Sequence, residues 1–206
     1  MAIGERYDAI LDAALAEFAP RGFHQASIRE IARAAHLSLA GLYHYVGSKD
    51  ELLFLVLDRA LDMLGTMADA ALDDASTPGA RLRALVRTHL EFGFHHGHAL
   101  RVVNRDWELV GPTHRSEIVV KRRAYMARWL DVLCELDPHA RSDRTLFSAA
   151  NLLLGMLNGI AVPPFLRTAD DARRLAAEVS ALFLHGFLGC AADGGEPAVA
   201  GDRHDA

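Results

Sequence analysis

The chain has 206 residues, of which 51% are hydrophobic and 24% charged, with a formal net charge of −5. That is enough apolar material to fill a core, so wholesale disorder is excluded. No apolar run approaches the roughly 20 residues a membrane helix needs, the first six residues turn straight to charge without a leader's apolar stretch, and Cys134 and Cys190 show no CxxC spacing. A cytoplasmic protein with no membrane partner and no disulfide framework is expected, its two cysteines small core residues.

Charge is distributed unevenly. Residues 1–20 sum to −3, residues 21–49 to +3 through Arg21, Arg29, Arg33 and Lys49 against Glu30, and the remainder to −5. A short basic island in an acidic chain suits one small surface meeting phosphate.

Taken in order, Tyr7, Ile10, Leu11, Ala14, Leu15 and Phe18 recur at helical spacing, predicting a first amphipathic helix that ends near Pro20-Arg21-Gly22. Ser27-Ile28-Arg29-Glu30 has the form of a capping box, with Ser27 accepting from the amide three residues on and Glu30 reaching back. The second helix starts there and stops at about Ala35-His36-Leu37; Ser38 caps a third, which runs through Val46. A second box, Ser48-Lys49-Asp50-Glu51, opens a long fourth helix to about Asp74. Further helices are predicted over 79–96, 98–110, 113–136, 142–161 and 169–190, the last with a box at Thr168-Ala169-Asp170-Asp171. No segment alternates with period two. The fold class is therefore all-α with about nine helices, and residues 192–206 read as a disordered tail.

Two short helices at about 28–35 and 39–45, joined by a tight turn and buttressed by a preceding helix, have the spacing of a helix-turn-helix. Ala32 and Ala35 are small where the helices cross, while Ile28, Ile31, Leu37 and Leu42 hold the angle. Tyr43, His44 and Lys49 offer groups suited to phosphate oxygens; Leu39 and Ala40 offer apolar contact to thymine methyls. Arg29 and Arg33 fit either phosphate contact or an ordinary exposed face, and Tyr45 is expected to be the packed member of the tyrosine pair.

Phe18-Ala19-Pro20-Arg21-Gly22-Phe23, Ser27-Ile28-Arg29-Glu30-Ile31-Ala32 and Leu42-Tyr43-His44-Tyr45-Val46-Gly47-Ser48-Lys49-Asp50-Glu51-Leu52-Leu53 closely resemble the TetR family of transcriptional repressors across about residues 5–55. The resemblance implies a homodimer on double-stranded operator DNA, with a helix-turn-helix domain at 1–50 and an effector-binding and dimerisation domain at 51–191. It implies DNA contact by Ser27, Arg29, Ser38, Leu39, Ala40, Tyr43, His44 and Lys49, with no enzyme activity and no cofactor. Where the family usually has Gly in the turn, this chain has His36, so positive φ is expected there.

In the second half, Arg105-Asp106-Trp107-Glu108-Leu109 with Arg122, Arg123 and Tyr125 looks like the subgroup that senses acyl-CoA thioesters, although Asn158-Gly159-Ile160-Ala161 departs from that subgroup's Asn-Trp-Arg pattern. A cavity walled by Phe92, His96, Trp107, Tyr125, Met126, Trp129, Leu154 and Asn158, with Arg101, Arg105 and Arg122 near an anionic end, is the expected effector site. Arg101 and Arg105 lie four apart, too close on one helix face without an intervening anion or a carboxylate such as Asp106. A lipophilic cation held by Glu91, Asp106 or Glu108 is the competing ligand, giving an efflux-gene repressor. His89, His95, His96 and His98 raise a small all-α metal-binding protein or enzyme as another class, but no ligand motif accompanies them and no metal is expected. A helical module that binds only protein is the remaining alternative. Small and apolar faces at 142–161 and 169–190, including Ala149, Leu153, Gly155, Met156, Leu182 and Phe183, are the expected dimer surface.

Overall fold

A computed structural model of the chain describes residues 3–137, 143–161 and 165–192. Among them are nine α-helices, a single 3₁₀ turn and no strand: α1 (Ile3–Gln25), α2 (Ile28–Ala34), α3 (Leu39–Tyr43), α4 (Lys49–Asp73), α5 (Pro78–His95), α6 (Gly97–Arg105), the 3₁₀ turn Trp107–Leu109, α7 (Pro112–Leu136), α8 (Asp143–Ile160) and α9 (Ala169–Ala192). The all-α expectation and its helix order hold. The expected tail from 193 onward, the Pro163-Pro164 break and the side chain of Cys190 lie outside the described residues.

Three boundaries move, each for a local reason. The first helix continues as one further turn to Gln25, but the expected break is real, because Gly22 leaves helical geometry at φ 80, ψ 160. The third helix ends at Tyr43 rather than Val46. The span expected over 98–110 is divided at Asp106, which is buried by Arg105 and begins the 3₁₀ turn.

The capping serines act as expected, whereas their glutamates do not. Ser27 Oγ accepts from Glu30 N (3.4 Å), but Ser27 N donates to Glu17 of α1 (3.1 Å) while Glu30 pairs with Arg33. Ser48 Oγ accepts from Glu51 N (3.0 Å), and Glu51 accepts from Gly47 N (2.6 Å), one residue earlier than expected. Only Thr168 and Asp171 exchange both bonds, at 3.0 and 3.1 Å.

The helices form two layers of organisation. Helices α1–α3 pack as a small head around Phe18, Ile31 and Leu42, all fully buried. Helix α4 runs out of the head and lies against α5, α6 and α7, while α9 covers α5 and α8 packs on α7 and α5. Trp129, Phe92, Leu85 and Leu90 are fully buried at the centre of this second bundle. Burying side chains of that size supplies about 1.5–3 kcal/mol each and sets the positions of the helices around them. Cys134, expected in the core, lies exposed on α7.

Candidate functional site

The head presents α3 outward on a buried foundation. Leu42, Ile31, Ala32 and Ala35 are buried at the α2–α3 crossing, whereas Ser38, Ala40, Tyr43 and His44 are exposed and Leu39 half-exposed. The turn between the helices passes through His36 at φ 57, the positive value expected where the family has Gly. This backbone costs a non-glycine residue roughly 1–2 kcal/mol. Tyr45 is half-buried against the core, as expected, and Tyr43 is 46% exposed. Arg29 is exposed with no ion-pair partner among the described residues, whereas Arg33 is paired with Glu30. Ser27 and Ser38 spend their hydroxyls as helix caps, Ser38 Oγ accepting from Gly41 N at 2.9 Å.

Lys49 has company that its sequence position did not reveal. Its ammonium donates to the His24 carbonyl (3.3 Å) and sits 4.7 Å from the centre of the Phe23 ring. The carbonyl and the negative ring face supply what a cation at a helix start otherwise lacks. Partial burial lowers its pKa from the ordinary lysine value.

In the second bundle, a small, partly open chamber of about 70 Å³ lies between α4, α5, α6, α7 and α8. Its apolar walls come from Leu61, Leu64, Leu100, Val103, Met126 and Leu154. Its polar side is one connected network. His89 Nε2–H donates to Asn158 Oδ1 (3.1 Å), the Tyr125 hydroxyl donates to His89 Nδ1 (2.9 Å), and Asn104 Nδ2–H donates to the same Asn158 oxygen (2.8 Å). This pattern fixes the Nε2–H tautomer, because Asn158 Oδ1 can only accept. Burial pushes the His89 pKa down to about 4 and raises that of Tyr125, so both are neutral across ordinary pH.

Arg122 is the chamber's one charged lining residue. It donates to the Val103 carbonyl (3.1 Å) and its guanidinium lies 4.5 Å from the centre of the Trp107 ring, with no carboxylate bridge among the described residues. Desolvation lowers its pKa, with Glu108 acting weakly in the other direction.

Of the expected effector residues, Arg122, Tyr125, Met126, Leu154 and Asn158 line this chamber. The others do not. Phe92 and Trp129 are fully buried core, and Trp107 is the platform for Arg122. His96 and Arg101 line a separate cleft of about 530 Å³ between α1 and the α5–α6 corner. Arg105 lies outside the chamber, on the wall of a groove between α6 and α8: it bridges Asp106 with two hydrogen bonds of 2.8 Å and donates to the Phe18 (2.6 Å) and Ala19 (3.1 Å) carbonyls at the end of α1. Those carbonyls belong to the last turn before Gly22, where a helix leaves its acceptors unfilled. Asp106 is thus the carboxylate that pairs with Arg105, one of the partners expected. His89 and Asn104 are the polar chamber residues that sequence reading did not assign to the ligand, and Leu61, Leu64, Leu100 and Val103 are the apolar ones; the i, i+15 spacing between His89 and Asn104 carries no local signal. No group of three metal-ligating side chains assembles among the described residues.

With this geometry in hand, similarity to known proteins is informative. Residues 10–56 match the family described as "Bacterial regulatory proteins, tetR family", and residues 75–162 match "Tetracyclin repressor-like, C-terminal domain". The chain belongs to the TetR family. A curated relative, the HTH-type transcriptional repressor KstR2 of Mycobacterium tuberculosis (strain ATCC 25618 / H37Rv), is 31% identical over 133 residues, which is 64% of this chain and 66%, just under two thirds, of KstR2. A TetR-family transcriptional regulator from Bordetella parapertussis 12822 superposes with a TM-score of 0.80 at 28% identity, covering 91% of this chain and 98% of that one. AibR, solved in complex with isovaleryl coenzyme A and operator DNA, shares the fold with a TM-score of 0.74 at 22% identity, covering 88% of this chain and 97% of its own. As a TetR-type protein the chain is a transcriptional regulator, and among the described residues no helix is long and apolar enough to cross a membrane.

Proposed function

We propose that this TetR-type regulator is a cytoplasmic repressor that binds double-stranded operator DNA as a homodimer and is released by a small, largely apolar effector with an anionic end. Residues 1–50 form the reading domain and 51–191 the effector and dimer domain. The observation that carries the reading is the outward face of α3 on a buried foundation, with Leu39, Ala40, Tyr43 and His44 free for a groove and Arg29 free for a phosphate. Ser27 and Ser38 contribute through the amide-rich helix starts they cap. Lys49 has N–H groups beyond the one given to His24, and these suit a phosphate beside Phe23.

Dimerisation is supported by an apolar depression of about 640 Å³ along α8 and α9, lined by Ala149, Leu153, Met156, Leu182 and Phe183 among others. Leu152 and Leu182 are 74% and 67% exposed there, more than a lone soluble chain usually leaves uncovered in one patch.

The effector's anionic end is supported by Arg122, a partly desolvated cation without a carboxylate bridge at the chamber wall. The KstR2 relative is named a repressor, and AibR was solved with a CoA thioester and operator, which makes an acyl-CoA a fitting effector class. A lipophilic cation fits less well, because Asp106 is buried under Arg105 and the chamber has no free carboxylate.

A mobility-shift titration on the promoter DNA beside the protein's own gene tests the reading. Binding should weaken steeply with salt, and Arg29→Ala should lower affinity for all sequences while reducing the salt slope by about one. An unchanged slope in Arg29→Ala would remove the phosphate assignment, and no shift at low salt would remove the repressor.

A further inference from the structure

Three histidines and an arginine that the chamber leaves out converge on one cleft. It lies at the joint of the molecule, between α1 of the head and the α5–α6 corner of the bundle, and its volume of about 530 Å³ falls within the roughly 300–1,000 Å³ usual for ligand sites. None of its wall residues is shared with the chamber. His95 and His96 stand at the end of α5, and His98 and Arg101 follow on α6. His98 and Arg101 are three apart, so they are neighbours on one helix face and repel whenever the imidazole is charged. Yet none of the four side chains meets a hydrogen-bond acceptor or a carboxylate among the described residues. The one carboxylate among the described wall residues, Asp12, is already taken. It accepts from Arg59 of α4 at 2.6 Å, and Arg59 also reaches Asp8 at 3.5 Å. Much of the remaining wall is carbon, from Leu15, Ala16, Phe94 and Leu166.

We propose that this cleft is a second ligand site, separate from the chamber, for a compact organic polyanion, a polycarboxylate or a phosphate ester, whose acidic groups are held by His95, His96, His98 and Arg101. The imidazoles are backed by other rings: His95 packs edge-on against Phe94 with centres 4.8 Å apart, and His96 lies 5.1 Å from Phe92. Such contacts restrict the rotamers, so less freedom is lost on gripping a ligand. A Cβ at Gly97, between them, would meet nothing within 4 Å, which leaves the corner open to a ligand body. No side chain caps the start of α6 on this wall, so its first amides add to the positive field.

His96 registers that field. Its pKa lies below the ordinary 6.5, first through burial and then through the positive charge of His95 and Arg59. The charged and titratable groups that face it are Asp12 from α1, Arg59 from α4, His95 from α5, and His98 and Arg101 from α6; Ala161 and Leu166 add none. A bound anion opposes the positive charge, raises the imidazole pKa and draws protons onto the site, so affinity increases as pH falls. Because Leu15 and Ala16 belong to the head and the histidines to the bundle, a ligand that spans the cleft also fastens one to the other.

Titration calorimetry of the full chain with citrate and with fructose 1,6-bisphosphate tests the site, with acetate as the singly charged control and ethane-1,2-disulfonate as an anion whose charge does not vary with pH. At least one of the two polyanions should bind at least about tenfold more tightly than acetate. Binding of citrate alone assigns the site to polycarboxylates, and of the bisphosphate alone to phosphate esters. The disulfonate should bind at least about threefold more tightly at about pH 6 than at about pH 7.5, and His96→Gln should shrink that ratio. Arg101→Gln and His98→Gln change exposed side chains, so both should melt with the unmodified protein while each binds the polyanion at least about fivefold more weakly. Polyanion binding no tighter than that of acetate, binding unchanged in both variants, or a disulfonate affinity that ignores pH overturns the proposal. So does a loss of operator affinity in Arg101→Gln with no anion added, which would give the guanidinium to the DNA backbone. The calorimetry needs no operator, so failure of this site and failure of the repressor reading are separate results.

Discussion

In the reading head, the bonds that define the elements are short in sequence: Ser27, Ser38 and Ser48 each accept from an amide three residues on. In the second bundle, the bonds that define the chamber join residues 36, 54 and 69 positions apart. The head is thus specified by local chain chemistry that any helix of that kind requires. The chamber exists only where five helices happen to meet, and each of its side chains is ordinary until the others arrive.

That contrast can be tested by breaking each region in its own way. The largest effect is expected from Leu42→Ala. Leu42 is fully buried under the reading helix, so the substitution should cost about 2–5 kcal/mol. Chemical denaturation followed by circular dichroism would measure it, with loss of operator binding before any loss of the α4–α9 bundle. A fall of less than 1 kcal/mol would mean that the head's stability comes from its contact with α6 rather than from its own core.

The chamber's counterpart is acid sensitivity. The His89 pKa is pushed down to about 4 in the fold against an unperturbed 6.5, with desolvation as the main cause. A base with a depressed folded pKa contributes fully above 6.5 and loses that contribution as pH falls toward 4, here by about 3 kcal/mol. Unfolding free energies measured from pH 7 to pH 4 should show this slope, and His89→Gln should flatten it. Equal slopes in both proteins would place the acid sensitivity elsewhere.

The smallest effect sharpens the head's side of the comparison. His36→Gly should relieve the left-handed strain at φ 57 and raise stability by up to about 1 kcal/mol, less whatever the freer unfolded chain takes back. Thermal melting would register it. A lower melting temperature would show that the imidazole makes a stabilising contribution greater than the strain.

How much was legible follows the same division. The serine caps, the strained turn at His36, the packed Tyr45 and the apolar faces of α8 and α9 were readable because spacing and residue type sufficed. Glu17 capping α2, the Lys49 contact with Phe23 and the exposed Cys134 were not, since each depends on how helices from different segments meet. In the second bundle, five of the expected ligand residues line the chamber, but Phe92 and Trp129 are core. Aromatic size alone does not distinguish a wall from a centre. The pairing of Arg105 with Asp106 is among the alternatives the sequence offers, but its grip on the α1 carbonyls is not, because no local pattern links α6 to Phe18 and Ala19. His89 was visible as one of several histidines, yet its role depends on Tyr125 and Asn158, which no local pattern links to it.

The Arg105 grip on α1 has a consequence for how such proteins can be remodelled. The guanidinium holds main-chain carbonyls of Phe18 and Ala19, not their side chains, and the non-helical Gly22 ends the helix so that those carbonyls face it. A coupling made to backbone is indifferent to the letters of the helix it holds. Heads of different sequence could be transplanted onto this bundle, provided each brings a helix that stops at the same height, and the grip would still form.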